Sequence, residues 1–238
     1  MSGAVGVGPV VVGAFVVVLP VCYQLNARIT PWAGGRLAEG GDRYLGFWTS
    51  NTVLHWSSTL AVVGVVLLSG TDLSAVGLAP PHRAVTAPSV AAFVGSLAVY
   101  YRDVLARPAI DADRARRRGD FWTPVTDRER RLGVFVLGVT PGVCEEVVYR
   151  GFLVTALRSL GASKWTAVGV ATVPFVLLHG RAATASLRSF ARYALLGVVF
   201  AGLYLRYGTV WPGVALHAAY NLAQTARGSR QYFEPSPR

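Results

Sequence analysis

Long apolar runs alternate with short polar, arginine-bearing connections from one end of this chain to the other. Seven runs stand out, at about 5–25, 47–69, 86–106, 132–158, 165–179, 190–206 and 209–226. A helix of roughly 20 residues crosses about 30 Å of hydrocarbon. The pattern therefore predicts an all-α fold, a polytopic transmembrane helical bundle of about seven spans, with residues 1–238 forming a single integral membrane domain. The fifth run is short. In the fourth, Thr140-Pro141-Gly142 predicts a fresh helix start, because proline is pre-set for a first helical turn. The first part of that run then reads as a separate interfacial helix. The first run has no basic leader, no small-residue cleavage site and no charge before Arg28, and reads as a retained helix rather than a signal peptide. Residues 107–131 form the one clearly aqueous stretch, and 227–238 a short polar tail expected to fray.

Composition agrees with the pattern. Hydrophobic residues make up 53% of the chain and charged ones 15%, where a soluble domain carries roughly 25% charged. Cys22 and Cys144 are the only cysteines, so a disulfide-stapled scaffold is excluded. The net charge of +11 invites a nucleic-acid reading, but the basic residues sit between apolar runs and report membrane topology instead. Seventeen lie on one side: Arg28, Arg36, Arg43, eight arginines within 107–131, and Arg181, Arg188, Arg192, Arg227, Arg230 and Arg238. Four lie on the other: Arg83, Arg158, Lys164 and Arg206. The asymmetry predicts a multi-pass plasma (cell) membrane protein with its N-terminus outside and its C-terminus in the cytoplasm. Twenty-two of the 23 basic residues are Arg, which reads as GC-rich coding bias and hence a bacterial source.

Three charges do not belong in a lipid-facing helix. Glu145, Glu146 and Arg150 sit inside the fourth run, and each costs roughly 2.5–3.5 kcal/mol near a helix centre on the lenient insertion scale. Glu146 and Arg150 are i,i+4 and can pair on one face. Glu145 lies about 100° further round and needs another partner. The candidates are His179 in the fifth run, and His217 with Asn221, one turn apart, in the seventh. At about 1.5 Å per residue, Glu145 and His179 both lie roughly 20 Å from the turn joining their helices, with Asn221 roughly 18 Å and His217 roughly 12 Å inward. Four polar residues from three helices thus fall near one layer. A carboxylate beside an imidazole can activate water, while an Asn and a second His can donate to an oxyanion. Two His and one Glu are also the protein ligands of a catalytic zinc site. Either route hydrolyses an acyl bond inside the membrane.

Glu145-Glu146 with Arg150, Phe175 with His179, and His217 with Asn221 resemble, in order, the three motifs of the CPBP intramembrane proteases. That family includes the type II CAAX prenyl endopeptidases and bacteriocin-processing or immunity (Abi-like) relatives. The resemblance covers about residues 125–226, the motif-bearing protease core. It implies an endopeptidase in which Glu145 and His179 act on water, His217 and Asn221 shape the oxyanion site, and Glu146 and Arg150 support them. No His-Glu-x-x-His helix is present, which favours a metal-free glutamate mechanism. The alternative is a divalent metal such as zinc on Glu145, His179 and His217. The expected partners are a peptide or membrane-anchored protein substrate and the lipid bilayer, with no nucleic acid.

Blander readings stand beside these. The charged trio can be a register-fixing ion-pair network, and His217 with Asn221 ordinary interhelical glue. Cys144 and His55 read as packing residues and His82 as a loop residue, and neither histidine belongs to a constellation. Arg102-Asp103 reads as a snorkelling interfacial pair, and the basic 107–131 stretch as a solvated face that attracts anionic lipid. Trp32, Trp48, Trp122, Trp165 and Trp211 fall near run ends, as an interfacial belt does. Two other classes remain: a non-catalytic membrane scaffold or bacteriocin-immunity protein, and a proton-coupled transporter. No internal repeat supports the transporter.

Overall fold

The structure is a computed structural model that describes residues 6–37, 43–80, 83–107, 111, 114–115, 118 and 122–233; the side chains of 30–37, 43–45 and 83–86 are not among those described. His82, the side chain of Trp32, most of 107–121 and the tail beyond 233 lie outside the described residues. Those described form helices and no strand. In chain order these are α1 (Pro9–Leu37), α2 (Arg43–Leu68), α3 (Arg83–Tyr100, extended by a wide turn Tyr101–Leu105), α4 (Asp127–Ser159), α5 (Lys164–Leu178), the single turn α6 (Arg181–Thr184), α7 (Leu187–Tyr207) and α8 (Trp211–Arg230). A 3₁₀ turn, Leu73–Val76, lies between α2 and α3.

Three helical stretches are long and apolar enough to cross a membrane: Pro9–Ile29, Gly46–Leu68 and Asp127–Ser159. Their burial differs. In its most apolar window α4 is 67% buried, against 22% for Pro9–Ile29 and 33% for Gly46–Leu68, so α4 is the central helix and the other two form a wall. Large exposed side chains such as Val10, Val17, Leu60, Leu68, Val173 and Leu195 are apolar. Such a surface is unsuited to water and suited to hydrocarbon. The protein is an integral membrane protein.

Local chemistry explains where the central helix begins and how it bends. Thr126 and Glu129 form a reciprocal capping box: the Glu129 amide donates to Thr126 Oγ1 at 3.2 Å, and the Thr126 amide to Glu129 Oε2 at 3.0 Å. The helix then runs without a break to Ser159, against the expected fresh start at Pro141. Proline lacks an N–H and its ring clashes with the carbonyl four residues back. Wide π-type turns at Val134–Val139, just before Pro141, absorb both defects within one continuous helix. A second π segment, Glu146–Val154, carries the charged motif itself. Such segments recur at functional sites.

Helices α5, α7 and α8 then wrap around α4, while α1 packs on α2 and α5. Ser163 caps α5 by accepting from the Thr166 amide, and Gly208, at φ 67°, ends α7. The core gathers Val62 and Val66 of α2, Val148 and Phe152 of α4, and Ala171 and Phe175 of α5.

Close approach depends on small residues, as is usual between membrane helices. A Cβ on Gly142 would meet the Val214 carbonyl of α8 at 3.0 Å. One on Gly151 would meet the Val76 carbonyl at 2.4 Å. That carbonyl is backbone and cannot swing aside, so Gly151→Ala should cost about 1–3 kcal/mol through overpacking. Gly169→Ala on α5 meets nothing within 4 Å and should be neutral. Thermal melting of the detergent-solubilised variants separates the two; equal melting would contradict this packing.

Candidate active site

Inside the bundle the carboxylate of Glu145 sits among three imidazoles. His55 Nε2, from α2, donates to Glu145 Oε1 at 3.1 Å. His179 Nε2, at the end of α5, and His217 Nε2, on α8, lie 3.9 and 3.8 Å from Oε2. All four residues are held by local structure. Glu145 is the last residue before the second π segment, and His179 is the C-cap of α5, followed by Gly180 in a positive-φ turn. Gln24 of α1 pins that turn, donating to the Leu177 carbonyl at 2.6 Å and the Leu178 carbonyl at 3.3 Å.

Each imidazole is oriented through its other nitrogen. His55 Nδ1 donates to the Asn51 carbonyl at 2.8 Å, His179 Nδ1 to the Phe175 carbonyl at 2.8 Å, and His217 Nδ1 to Glu146 Oε1 at 2.9 Å. With Nδ1–H committed, every Nε2 faces Glu145. The bond the far nitrogen makes selects what the near one presents. Aromatic rings complete the enclosure: Tyr193 packs 4.4 Å from His179, and Phe200 stacks 5.1 Å from His217, centroid to centroid. His179 is the most accessible of the three, its side chain 20% exposed while His55 is at 3% and His217 at 4%. The carboxylate is therefore least enclosed on the His179 side.

Glu146 points the other way, and its carboxylate serves two partners. Arg150 Nη1 approaches Oε1 at 3.2 Å, as the i,i+4 spacing anticipates, although the alignment is that of an ion pair and not of a hydrogen bond. The guanidinium instead lies flat between aromatic faces, 3.9 Å from the Phe175 centroid and 5.5 Å from that of Phe200. A desolvated cation over two rings gains about 2 kcal/mol or more from their quadrupoles. Gly213 makes room on the far side, since a Cβ there would meet Glu146 Oε2 at 2.8 Å.

The sequence-derived set is thus largely brought together. Glu145, His179 and His217 converge; Glu146 and Arg150 form the neighbouring pair and reach the cluster through His217. Asn221 lies one turn beyond His217 on α8, half-buried, and its amide makes no hydrogen bond among the described residues. Cys144 is a buried free thiol outside the cluster. The correction concerns His55, read as a packing residue and found bonded to Glu145. A buried ionisable side chain in an apolar span was the signal that could have found it. Asp103 likewise does more than pair with Arg102: it accepts hydrogen bonds from Arg230 at the end of α8, tying α3 to α8. Among the described residues no group of His, Cys, Asp and Glu is arranged to hold a metal ion.

The site is thus a carboxylate ringed by oriented imidazoles inside a helical bundle with an apolar surface. Residues 128–223, less than half of the chain, match a family model described as Type II CAAX prenyl endopeptidase Rce1-like. No curated protein and no solved structure matches the chain significantly. Over this segment the match supports an intramembrane protease of the CPBP type, a class of endopeptidases that act on peptide or protein substrates within a membrane.

Removing Arg150 leaves Glu146 buried at 1% exposure with only an imidazole beside it. Arg150→Ala should therefore cost roughly 3–5 kcal/mol, seen as low membrane abundance and early thermal unfolding. Adding Glu146→Gln to that variant should recover part of the loss, because no stranded charge remains. Wild-type abundance and heat resistance in Arg150→Ala would remove its supporting role.

Proposed function

We propose that the protein hydrolyses a peptide bond by a water activated between Glu145 and His179. The observation that carries this reading is Glu145 Oε2: buried, without a hydrogen-bond partner among the described residues, and facing His179 Nε2 and His217 Nε2 from beyond bonding distance. A water beside those three atoms, about 2.8 Å from each, is held and polarised at once. Its oxygen forms the new bond to the scissile carbonyl carbon while its proton passes to Oε2. The tetrahedral oxyanion meets the Asn221 amide, with His217 lining the same space. Glu145 then returns the proton to the leaving nitrogen as the C–N bond breaks. This scheme uses no metal, and the chelation experiment below tests that.

The substrate is a peptide segment of a membrane-anchored protein, admitted on the His179 side. A seven-span bundle, in the bacterial plasma membrane with the C-terminus in the cytoplasm, accounts for the run pattern and the arginine asymmetry. A reporter enzyme fused after the C-terminus should be active only when cytoplasmic; activity of the periplasm-dependent reporter would reverse the orientation.

Glu145→Gln keeps the shape of the side chain but cannot accept water's proton. It should lower cleavage about 10²- to 10⁴-fold with folding intact. Comparative proteomics of membranes containing wild type or Glu145→Gln reads this as peptide termini that appear only with wild type. Prolonged chelation should leave wild-type cleavage unchanged, whereas a zinc site would lose its nucleophile with its ion. Identical termini in both membranes would end the hydrolase reading in favour of a scaffold or transporter.

A further inference from the structure

Helices α1 and α2 precede the matched segment 128–223, yet α2 supplies, among the described residues, the one hydrogen bond to the Glu145 carboxylate, from His55. We propose that His55 is a positioning residue of the hydrolytic site: its Nε2–H holds Oε1 of Glu145 so that Oε2 alone faces the reacting water. This rests on Glu145 acting as the base.

The local geometry favours positioning over mere packing. His55 is 3% exposed in a membrane-crossing helix, where an apolar side chain of similar size would fill the space without a polar cost. Both of its nitrogens face acceptors, the Asn51 carbonyl at 2.8 Å and Glu145 Oε1 at 3.1 Å. The ring therefore meets both as a two-ended donor, a form that also balances the neighbouring carboxylate's charge. An edge contact to Tyr23, centroids 4.8 Å apart, fixes the ring plane from α1. The His55 carbonyl accepts from the Ser58 and Thr59 hydroxyls at 2.7 and 3.0 Å, so those polar side chains are satisfied within α2. The remaining neighbours of Glu145 lie on the Oε2 side: His179 from α5 and His217 from α8. Without His55 no hydrogen bond among the described residues distinguishes the two oxygens. The carboxylate could then turn or accept from the imidazoles directly, and its alignment with water would be lost. Near-attack geometry tolerates little such drift.

The test uses full-length protein in liposomes, with detergent-extracted membrane proteins as substrate and released termini quantified against time and substrate dilution. Four variants accompany wild type. Glu145→Gln reports on the base. His55→Phe keeps the ring and removes both donors. His55→Asn can reach the Asn51 carbonyl but not Glu145, and His55→Gln carries an amide donor near the position of Nε2. Hydrogen bonds to charged groups predict a loss of about 10- to 100-fold in maximal rate for His55→Phe and His55→Asn. Half-saturation should be unchanged, and His55→Gln should stay within several-fold of wild type. If His55→Phe folds poorly, the Asn and Gln pair still decides. The proposal is overturned if His55→Asn cleaves as fast as wild type, or if His55→Gln is as slow as His55→Asn at equal heat resistance. Termini that persist in Glu145→Gln would overturn the underlying hydrolase reading instead, and this inference with it.

Discussion

Two adjacent carboxylates in the middle of a membrane-embedded helix are the constraint that organises this protein. Charge in hydrocarbon is tolerated only where a partner compensates it, and Glu145 and Glu146 find theirs in opposite directions. Glu146 is met by Arg150 and by His217 Nδ1, Glu145 by His55. Much of the architecture around α4 serves this pairing. The π segment that begins at Glu146 widens the helix where the pair sits, Gly213 gives the carboxylate room, and Phe175 and Phe200 cover the guanidinium.

The consequence for chemistry is an asymmetric pair of acids. Glu146 is immobilised and spends its acceptor capacity inside the protein. Glu145 keeps one oxygen without a hydrogen bond among the described residues, beside two Nε2 atoms whose rings are locked from behind. A general base needs this combination of fixed position and open lone pair. The locking bonds go to a backbone carbonyl for His179 and to a side chain for His217, so the site draws on helix geometry as much as on side-chain choice.

The N-terminal helices are more than lipid-facing wall. Gln24 of α1 holds the turn bearing His179, and His55 of α2 holds Glu145. The motif-bearing segment alone thus leaves both Glu145 and His179 without one of their supports. Lateral coupling of this kind makes the site sensitive to how α1 and α2 pack, a feature expected where enclosure by neighbouring helices excludes water from all but one side.

The membrane class, the helical fold and the nearness of Glu145, Glu146, Arg150, His179 and His217 were legible in the chain because each rests on local regularities. Apolar run length is set by bilayer thickness, and i,i+4 neighbours share a face whatever the surroundings. Depth along antiparallel helices follows from residue count, which is why Glu145, His179 and His217 could be placed in one layer. Three features needed the tertiary structure. Helix α4 runs through Pro141 because preceding wide turns release the backbone, and no residue-level signal marks a π turn. His217 bridges both glutamates because α8 crosses α4 closely at Gly142 and Gly213, a matter of interhelical distance. His55 joins the site from 90 residues away because α2 packs on α4, and the order of helices around a bundle is not written in the periodicity of any one of them.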